Sequence, residues 1–448
     1  MGIIQKNISM GKRRKPKPRI YELEIEALSH EGRGIAHLDE KVIFVSGALP
    51  GEKVVAERVF SRAKFEEADV VVVLVPADNR IVPKCEVFGI CGGCSFQHLS
   101  SEDQIEAKGA WLKDAFKQQA KIEPKNWLEP LQAQVWGYRR KARLGVRWVA
   151  KKDKVLVGFR EKKSGWIANM DRCEVLHAAI GEHLVDLGEC IERLSIKSQV
   201  PQIEVAIAEN NTVLILRHLE PFSAEDEQIL LDCADKLGVS FYTQSGGEET
   251  VKALGESVTL TYSHPQHDIE MAFLPTDFTQ VNFKLNQKMV SLALDLLALD
   301  KDDKVIDLFC GLGNFTLPIA RYAQYVVGVE GDSGLIERAK ANAQKNGIQN
   351  ADFYKADLFK EVAGFEWFRG KTYNKALIDP ARSGAIEIIE LLPKLGVERL
   401  VYVSCNPATL ARDTEKLIEI GYELETAGVM DMFPQTAHVE SIALFVRC

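Results

Sequence analysis

The chain has 448 residues, a net charge of −8 and a hydrophobic content of 46%. This length allows roughly three domains, and no apolar run approaches the length that a bilayer-spanning helix needs. The nine cysteines are an odd number, and the N-terminus lacks the apolar core of a signal peptide, so we expect a cytoplasmic protein without a disulfide framework.

Positive charge is concentrated in one segment, although the chain as a whole is acidic. Residues 137–172 contain twelve Lys or Arg and three acids, a balance of +9 that leaves −17 for the rest. Aromatic side chains are interleaved with these cations (Tyr138, Trp148, Phe159 and Trp166). Cations bind phosphates and flat rings stack on unpaired bases, so the pattern predicts a surface for single-stranded RNA, with a solvated strand-rich surface as the alternative. A second basic run, residues 12–19, is expected to be a flexible arm that contacts phosphates.

Short strands alternate with glycine and proline turns in the N-terminal part. Strands are predicted at residues 21–27, 42–45, 54–59 and 69–75. So many short strands in about sixty residues predict a small closed barrel. The pattern E-G-R-G-I-A followed by G-A-L-P-G-E resembles the TRAM domain. This resemblance implies an OB-like, RNA-binding barrel over residues 12–76.

A cysteine cluster follows the predicted barrel. Cys85, Cys91 and Cys94 lie within ten residues among glycines, which favours a metal site over three separate core residues. The fourth ligand is expected to be Cys173, at the end of the basic segment. A close trio with one distant cysteine fits a [4Fe–4S] cluster better than zinc, which is the alternative. Such a cluster would hold the basic segment against the trio.

The C-terminal part reads as alternating strands and helices. Strands are predicted at residues 304–309, 326–330, 352–357, 375–379 and 399–404. This alternation predicts a doubly wound parallel sheet with its ligands at the carboxyl ends of the strands. An amphipathic helix is predicted earlier, at residues 100–121.

The first of these strands leads into a glycine-rich turn, C-G-L-G-N-F, and the second ends in Glu330. Such a turn with an acid after the next strand is typical of a nucleoside cofactor, whose ribose hydroxyls the acid binds. Thr316 stands where a dinucleotide fold would have its third glycine, which favours S-adenosylmethionine. Asp357, at the third strand end, is expected to face the adenine.

Cys405 follows the fifth strand in S-C-N-P, where Asn406 can cap a helix that starts at Pro407. The partial positive charge of the helix start should favour the reactive thiolate, and a buried structural cysteine is the alternative. Asp379, in D-P-A-R, is held extended by its proline and should lie beside Cys405 at the neighbouring strand end.

Five motifs together resemble the RNA uracil-C5 methyltransferases: F-T-Q-V-N (278–282), D-L-F-C-G-L-G-N-F (307–315), D-P-A-R (379–382), S-C-N-P-A-T-L-A-R-D (404–413) and M-F-P-Q-T-A-H-V-E-S (432–441). The resemblance covers nearly the whole chain and implies an α/β Rossmann-like class I methyltransferase domain at 99–134 and 274–448. An α+β iron–sulfur domain would take 77–98 and 135–273. The barrel and the four cysteines together resemble the branch that acts on 23S ribosomal RNA.

The resemblance also implies a mechanism and its residues. Cys405 would add to C6 of a uridine flipped out of an unfolded RNA loop, and Glu440 would remove the C5 proton. Gln280 and Asp379 would contact the cofactor or the uracil, and the cofactor site would be lined by Phe309, Asn314, Glu330 and Asp357. We expect a monomer. The alternatives are a tRNA uridine methyltransferase and a non-catalytic iron–sulfur RNA-binding factor. DNA cytosine-C5 methylation is disfavoured, because that family places proline before its cysteine.

Overall fold

The computed structural model describes residues 19–447, which form two compact units divided after Arg80. Residues 12–18, nearly all of the predicted basic arm, lie outside the described residues. Within 19–447, no helix is both long and apolar enough to cross a membrane.

The first unit is the predicted barrel. Its six strands form one sheet in the order β1-β5-β6-β4-β3-β2, and alternate side chains such as Tyr21 and Leu23 fill its core. Glu52, in the G-A-L-P-G-E turn, is fully buried; it accepts the Leu49 N–H at 2.8 Å and pairs with Arg80. The strands are β1 Ile20–Glu24, β2 Ala27–Leu28, β3 Gly34–Leu38, β4 Lys41–Ser46, β5 Lys53–Ser61 and β6 Phe65–Val75.

The second unit contains the remaining elements. Its helices are α1 Ser101–Ala115, α2 Ala178–Gly181, α3 Leu184–Glu192, α4 Ala224–Leu237, α5 Phe283–Leu297, α6 Thr316–Ala320, α7 Ser333–Lys345, α8 Ile386–Ile389 and α9 Pro407–Glu419. A π turn, Phe116–Ala120, continues α1, and short 3-10 turns occur at Ala150–Lys152, Lys197–Gln199, Glu248–Thr250, Pro265–His267 and Leu392–Leu395.

The strands of the second unit form two large sheets and one hairpin. They are β7 Asn126–Trp127, β8 Lys141–Val149, β9 Lys154–Gly158, β10 Gln202–Ile207, β11 Thr212–Arg217, β12 Ser240–Gln244, β13 Lys252–Ala253, β14 Leu260–His264, β15 Ile269–Phe273, β16 Lys304–Leu308, β17 Tyr325–Glu330, β18 Ala351–Lys355, β19 Lys375–Ile378, β20 Arg399–Ser404, β21 Tyr422–Met430 and β22 Glu440–Arg447.

The basic segment belongs to a six-stranded mixed sheet with the order β13-β12-β11-β10-β8-β9. Its charged side chains alternate with buried ones along β8, for example Ala142, Leu144 and Val146. Helices α3 and α4 pack on this sheet, and a disulfide between Cys190 and Cys233 joins them. The cysteine count did not lead us to expect this bond.

The largest sheet has the order β18-β17-β16-β19-β20-β22-β21-β7. Its first five strands are parallel, and β22 runs antiparallel to β20. Residues Leu400–Ser404 of β20 are all buried, as expected for a strand covered on both faces. The strand order reverses between β16 and β19, so a cleft opens at their carboxyl ends. The predicted doubly wound sheet is therefore confirmed.

The sequence-based bounds differ from the structure at a few ends. The third and fourth parallel strands end at Lys355 and Ile378, so Asp357 and Asp379 lie just beyond them. The predicted helix at 100–121 is α-helical only to Ala115. β7, which follows that helix, adds to the largest sheet, as a discontinuous domain requires. The division of this unit into two domains stays a prediction.

Candidate active site

Cys405 lies where the last parallel strand meets a helix, as predicted. β20 ends directly before it, and α9 begins at Pro407. The side chain of Asn406 caps α9 by accepting a hydrogen bond from the Ala408 N–H at 3.1 Å. The thiol is half-buried at the carboxyl edge of the sheet, where ligands of this fold bind.

Glu440 opens β22 and lies opposite Cys405. Ser404 pairs with Ser441 across the two antiparallel strands, and the Ser441 hydroxyl donates to the Ser404 carbonyl at 3.2 Å. One step further in this register, Cys405 faces Glu440. Directly opposed residues have Cβ atoms about 5 Å apart, so the pairing of two strands brings together a thiol and a carboxyl group from distant motifs.

Asp379 approaches the thiol from the other side. It follows β19, which pairs with β20 in parallel so that Ile378 lies beside Tyr402. The Asp379 N–H donates to the Leu308 carbonyl at 3.3 Å, which ties it to the end of β16. Three neighbouring strands therefore present Asp379, Cys405 and Glu440 at one edge of the sheet.

A buried carboxylate locks the loops after β19 and β20 together. Asp413 is fully buried and accepts hydrogen bonds from the Tyr402 hydroxyl at 2.7 Å and the Ala385 N–H at 2.8 Å. Gly384 adopts a φ of +82°, and a Cβ there would lie 2.5 Å from this carboxylate. The Asn406 amide also donates to a carbonyl of the D-P-A-R loop at 3.1 Å. The position of Asp379 relative to Cys405 is thus fixed by packing.

The three site groups hold their protons unusually tightly. Burial raises the pKa of Asp379 to about 7. Burial, and then the charge of Asp379, raise the pKa of Glu440 to about 8, against the opposing charges of Arg382 and Lys108. Burial, followed by the charges of Glu440 and Asp379, raises the pKa of the Cys405 thiol to about 11. Carboxyl groups with pKa values near neutrality are suited to accept and release protons during a reaction.

The predicted effect of the helix start on the Cys405 thiolate is outweighed in this structure. The helix and its cap are present as expected, but a helix terminus contributes only about 0.3–1 kcal/mol, and about 2 at most. Burial and two neighbouring acids act in the opposite direction and raise the thiol pKa to about 11. The sequence shows the helix but not the depth at which the thiol lies.

The glycine-rich turn after β16, predicted to cradle the cofactor, bends sharply at two residues. Phe309 takes a left-handed φ of 66° and Gly313 a φ of 94°, which turn the backbone sharply. Glu330 reaches back to this turn, because its carboxylate accepts the Gly311 N–H at 3.2 Å and the Gly331 N–H at 2.7 Å. The acid therefore lies where ribose hydroxyls would meet the turn.

Asn314, which was expected to line the cofactor site, uses its side chain within the protein. Its amide oxygen accepts hydrogen bonds from the Tyr262 hydroxyl at 3.0 Å and the Asn286 amide at 2.9 Å, and it lies 3.0 Å from His264 Nε2. Burial lowers the pKa of His264 to about 4, so the ring is neutral. The Asn314 side chain thus anchors the turn to β14 and α5, and its part in the cofactor site stays a prediction.

Asp357 and Gln280 are more peripheral. Asp357 is exposed, and its carboxylate pairs with Lys360 at 2.7 Å. The same loop reaches the cradle through Phe359, whose ring lies 5.7 Å from that of Phe309. Gln280 is half-buried in the loop before α5. The contacts of this structure do not join Gln280 to the Cys405 group, so its role stays a prediction.

Two family models match the chain. One is described as tRNA (Uracil-5-)-methyltransferase and matches residues 100–448. The chain belongs to the RNA uracil-C5 methyltransferase family. The second model, the TRAM domain, matches residues 17–71 and confirms the interpretation of the barrel.

Relatives with high sequence identity match this methyltransferase over nearly its full length. A protein of Vesicomyosocius okutanii named 23S rRNA (uracil(1939)-C(5))-methyltransferase RlmD is 71% identical over 438 residues, 98% of this chain and 100% of that protein. A protein of the same name from Alkalilimnicola ehrlichii is 51% identical, and the match covers 98% of this chain and 99% of that protein. The structure of Pyrococcus abyssi tRNA (uracil-54, C5)-methyltransferase with S-adenosyl-L-homocysteine has a TM-score of 0.74 at 22% identity and covers 95% of this chain and 100% of that one. This last likeness shows the shared fold.

The four predicted metal ligands of the methyltransferase converge on one cavity. Cys85, Cys91, Cys94 and Cys173 all line a space of about 230 Å³. Burial raises the pKa of Cys94 to about 12 and of Cys173 to about 11, and the charges of neighbouring cysteines of the set add to both shifts. Across residues 19–447, no three or more His, Cys, Asp or Glu side chains form a group that could hold a metal ion. The convergence of the cysteines is observed, and the cluster stays a prediction.

Sequence reasoning missed several residues of the methyltransferase site. Lys108 of α1 is fully buried, pairs with Asp431 at 2.6 Å and opposes the raised pKa of Glu440. Arg382 is the second cation near Glu440 and approaches His438 to 3.3 Å. Phe278 is 73% exposed on the loop that carries Gln280. A buried lysine has no sequence signal, but the phenylalanine lies within a quoted motif.

Proposed function

We propose that this protein transfers a methyl group from S-adenosylmethionine to C5 of a uridine in 23S ribosomal RNA. The observation that carries the proposal is the grouping of Cys405, Asp379 and Glu440 at adjacent strand ends. Substrate choice is supported by relatives of that printed name, which match 98% of this chain at 71% and 51% identity.

The chemistry begins with the thiol, because C5 of uracil is a poor nucleophile. In the proposed mechanism the Cys405 thiol releases its proton to solvent, its sulfur bonds to C6, and the C5–C6 electron pair moves into an enolate. S-adenosylmethionine supplies an electrophilic methyl group on a positively charged sulfur. C5 takes that methyl group, and S-adenosylhomocysteine leaves. Glu440 then removes the C5 proton, and the C5–H electron pair restores the C5–C6 double bond and expels the Cys405 thiolate.

The raised pKa values support this assignment of roles. Glu440, with a pKa of about 8, can accept a proton and release it near neutral pH. Cys405 is a poor thiolate source with a pKa of about 11, so it needs a nearby positive charge. A cation in the cleft favours the ionised forms of all three site groups. The nucleophile would thus be activated only when the methyl donor is in place.

RNA binding is proposed for the basic segment. Trp166 is 58% exposed, and the Arg147 guanidinium lies 5.3 Å from its ring centroid. A groove of about 630 Å³ beside it is lined by Arg143, Arg160 and Lys162 among others. Cations around an exposed ring fit a single strand with unstacked bases. The TRAM barrel would supply further RNA contacts.

The target uridine must leave the RNA stack. Cys405 is half-buried at the edge of the sheet, out of reach of a base that remains inside a helix. We therefore infer that the base is flipped into the cleft from an unfolded loop. All of these groups belong to one chain, so the reaction needs only a monomer.

We also propose that the cysteine cavity holds a [4Fe–4S] cluster. Four cysteines around about 230 Å³, of which Cys91 is buried and the other three are half-buried, are a donor set that suits iron and sulfide. Cys85, Cys91, Cys94 and Cys173 would hold the cluster, which would tie the trio to the end of the basic segment. Anaerobically purified protein should be brown and contain about four irons and four sulfides. One zinc per chain, without colour, would contradict this.

The methylation proposal is tested with purified protein, methyl-labelled S-adenosylmethionine and RNA that carries tritium at uracil C5. We expect methyl incorporation into 23S rRNA with one tritium released per methyl group. Matched tRNA transcripts should accept little label. The Cys405→Ala protein should release no tritium, whereas normal release by it would exclude the thiol mechanism. Efficient labelling of tRNA alone would overturn the choice of substrate.

A further inference from the structure

The segment that leads to Glu440 is held by side chains from distant parts of the chain. Residues 431–439, here called the strap, connect β21 to β22, and Met430 pairs with Glu440 at the mouth of this hairpin. Glu440 is therefore the first residue after the strap. Where the strap lies decides where the carboxyl group of Glu440 lies.

A pair of glutamines fixes the middle of the strap. Gln104 of α1 donates from its amide to the Gln435 side-chain oxygen at 3.0 Å, and its own oxygen accepts the Gln435 N–H at 2.8 Å. The same Gln104 amide donates to the carbonyls of Phe96 at 3.0 Å and Leu99 at 2.8 Å. Both glutamines are only 1% exposed. Both polar atoms of the Gln104 side chain are thus hydrogen-bonded, the oxygen to the strap and the nitrogen to the strap and to the carbonyls of Phe96 and Leu99.

The strap is anchored a second time beside the cysteine trio. Ser95 and Phe96 follow Cys94, and their N–H groups both donate to the Gln435 carbonyl at 3.0 Å. The Ser95 hydroxyl accepts the Ala437 N–H at 3.0 Å. Gln435 is held from two sides, by a side chain and by backbone.

The backbone at Gln435 is strained. Its φ of 69° lies in the left-handed region, which costs a residue with a side chain about 1–2 kcal/mol. Such a conformation persists only where its surroundings impose it, and it is concentrated at functional sites. Here Gln104 and the Ser95–Phe96 backbone impose it, five residues before Glu440.

We propose that the Gln104–Gln435 pair is a positioning latch that sets the reach of Glu440 toward C5 of the target base. Both glutamines are almost fully buried within the protein, so we treat them as positioning residues. The proposal rests on the proposed function, in which Glu440 removes the C5 proton after methyl transfer. Opening the latch should slow this last step, because a displacement of about 1 Å costs on the order of 100-fold in rate.

The test compares Gln104→Leu with Gln118→Leu, an exposed glutamine in the π turn that continues α1. We expect Gln104→Leu to lower kcat for methyl transfer at least tenfold, while the KM for S-adenosylmethionine stays within twofold. Methylated RNA should accumulate in a denaturation-resistant complex with the protein. Gln118→Leu should behave as the unmodified protein does.

A second variant decides the outcome if Gln104→Leu does not fold. Gln435→Gly removes the side-chain oxygen that accepts from Gln104, keeps the backbone N–H bond to Gln104 and tolerates the positive φ, and the same split between kcat and KM is expected. Unmodified kcat, or a parallel loss of cofactor affinity and adduct formation, would overturn the latch. Failure of the proposed function would be recognised by a different result. The unmodified protein would then transfer no methyl group, or the Glu440→Gln protein would form no adduct.

Discussion

The protonation of Cys405 gives a direct test of the site electrostatics. Burial and two acids raise the thiol pKa to about 11. At pH 7.5 such a thiol is about 0.03% ionised, whereas an ordinary thiol with a pKa of 8.5 is about 10% ionised, a ratio of about 300. Since a more basic thiolate is intrinsically more nucleophilic, alkylation should be slower by about 30-fold.

The contribution of the Glu440 charge to the raised pKa of Cys405 can be measured by removing that charge. Its strand register places it opposite Cys405, with Cβ atoms about 5 Å apart. At that separation and an effective dielectric of about 20, a unit charge is worth about 3 kcal/mol, or about two pKa units. We expect Glu440→Gln to lower the Cys405 pKa by one to two units. Glu398→Gln is the matched control, because this exposed glutamate lies just before the opposite end of β20.

The assay is the rate of iodoacetamide alkylation of the Cys405 peptide, read by mass spectrometry between pH 6.5 and 10.5. Other cysteines do not interfere, since each peptide is quantified separately. In the unmodified protein and in Glu398→Gln the rate should rise tenfold per pH unit without levelling below about pH 10. In the Glu440→Gln protein the alkylation rate should level off at a lower pH. A plateau near pH 8.5 in the unmodified protein would refute the dominance of burial, and equal profiles would refute the pairing with Glu440.

Three further predictions follow from packing and charge. Lys108→Met leaves Asp431 buried without its partner and should destabilise the protein by about 3–5 kcal/mol in denaturant melts; the double variant with Asp431→Asn should recover part of this loss. Gly384→Ala places a Cβ 2.4 Å from the nearest side-chain atom and should cost at least tenfold in methyl transfer, whereas Gly370→Ala, also at positive φ but in open space, should not. The kcat/KM for RNA should increase as the pH rises toward about 8, because Glu440 must lose its proton to act as the base; a flat profile from pH 6 to 9 would contradict this.

Most of the fold could be predicted from local patterns in the sequence. The run before Ser404 predicted a buried strand with its observed bounds, and Asn406 and Pro407 predicted the helix start. The glycine-rich turn and Glu330 were placed correctly because both lie directly at strand ends. Such features depend on neighbours a few residues apart, which a sequence displays.

Interactions between residues far apart in the sequence could not be predicted. Lys108 and Asp431 are 323 positions apart, and Gln104 and Gln435 are 331 apart, yet each pair is in contact. Nothing in either local segment marks these residues, because pairing depends on how α1 packs against the largest sheet. The direction of the Cys405 pKa shift could not be predicted for the same reason, since burial is a property of the folded chain. The family motifs named Cys405 but not its protonation state.

The most direct test of the proposed mechanism is the fate of RNA on the Glu440→Gln protein. With S-adenosylmethionine and 23S rRNA, this variant should accumulate a denaturation-resistant complex in which Cys405 is bonded to a C5-methylated uracil. The complex should be absent when Cys405→Ala is added to the same protein. Rapid methyl transfer by Glu440→Gln without such a complex would contradict the roles of both residues.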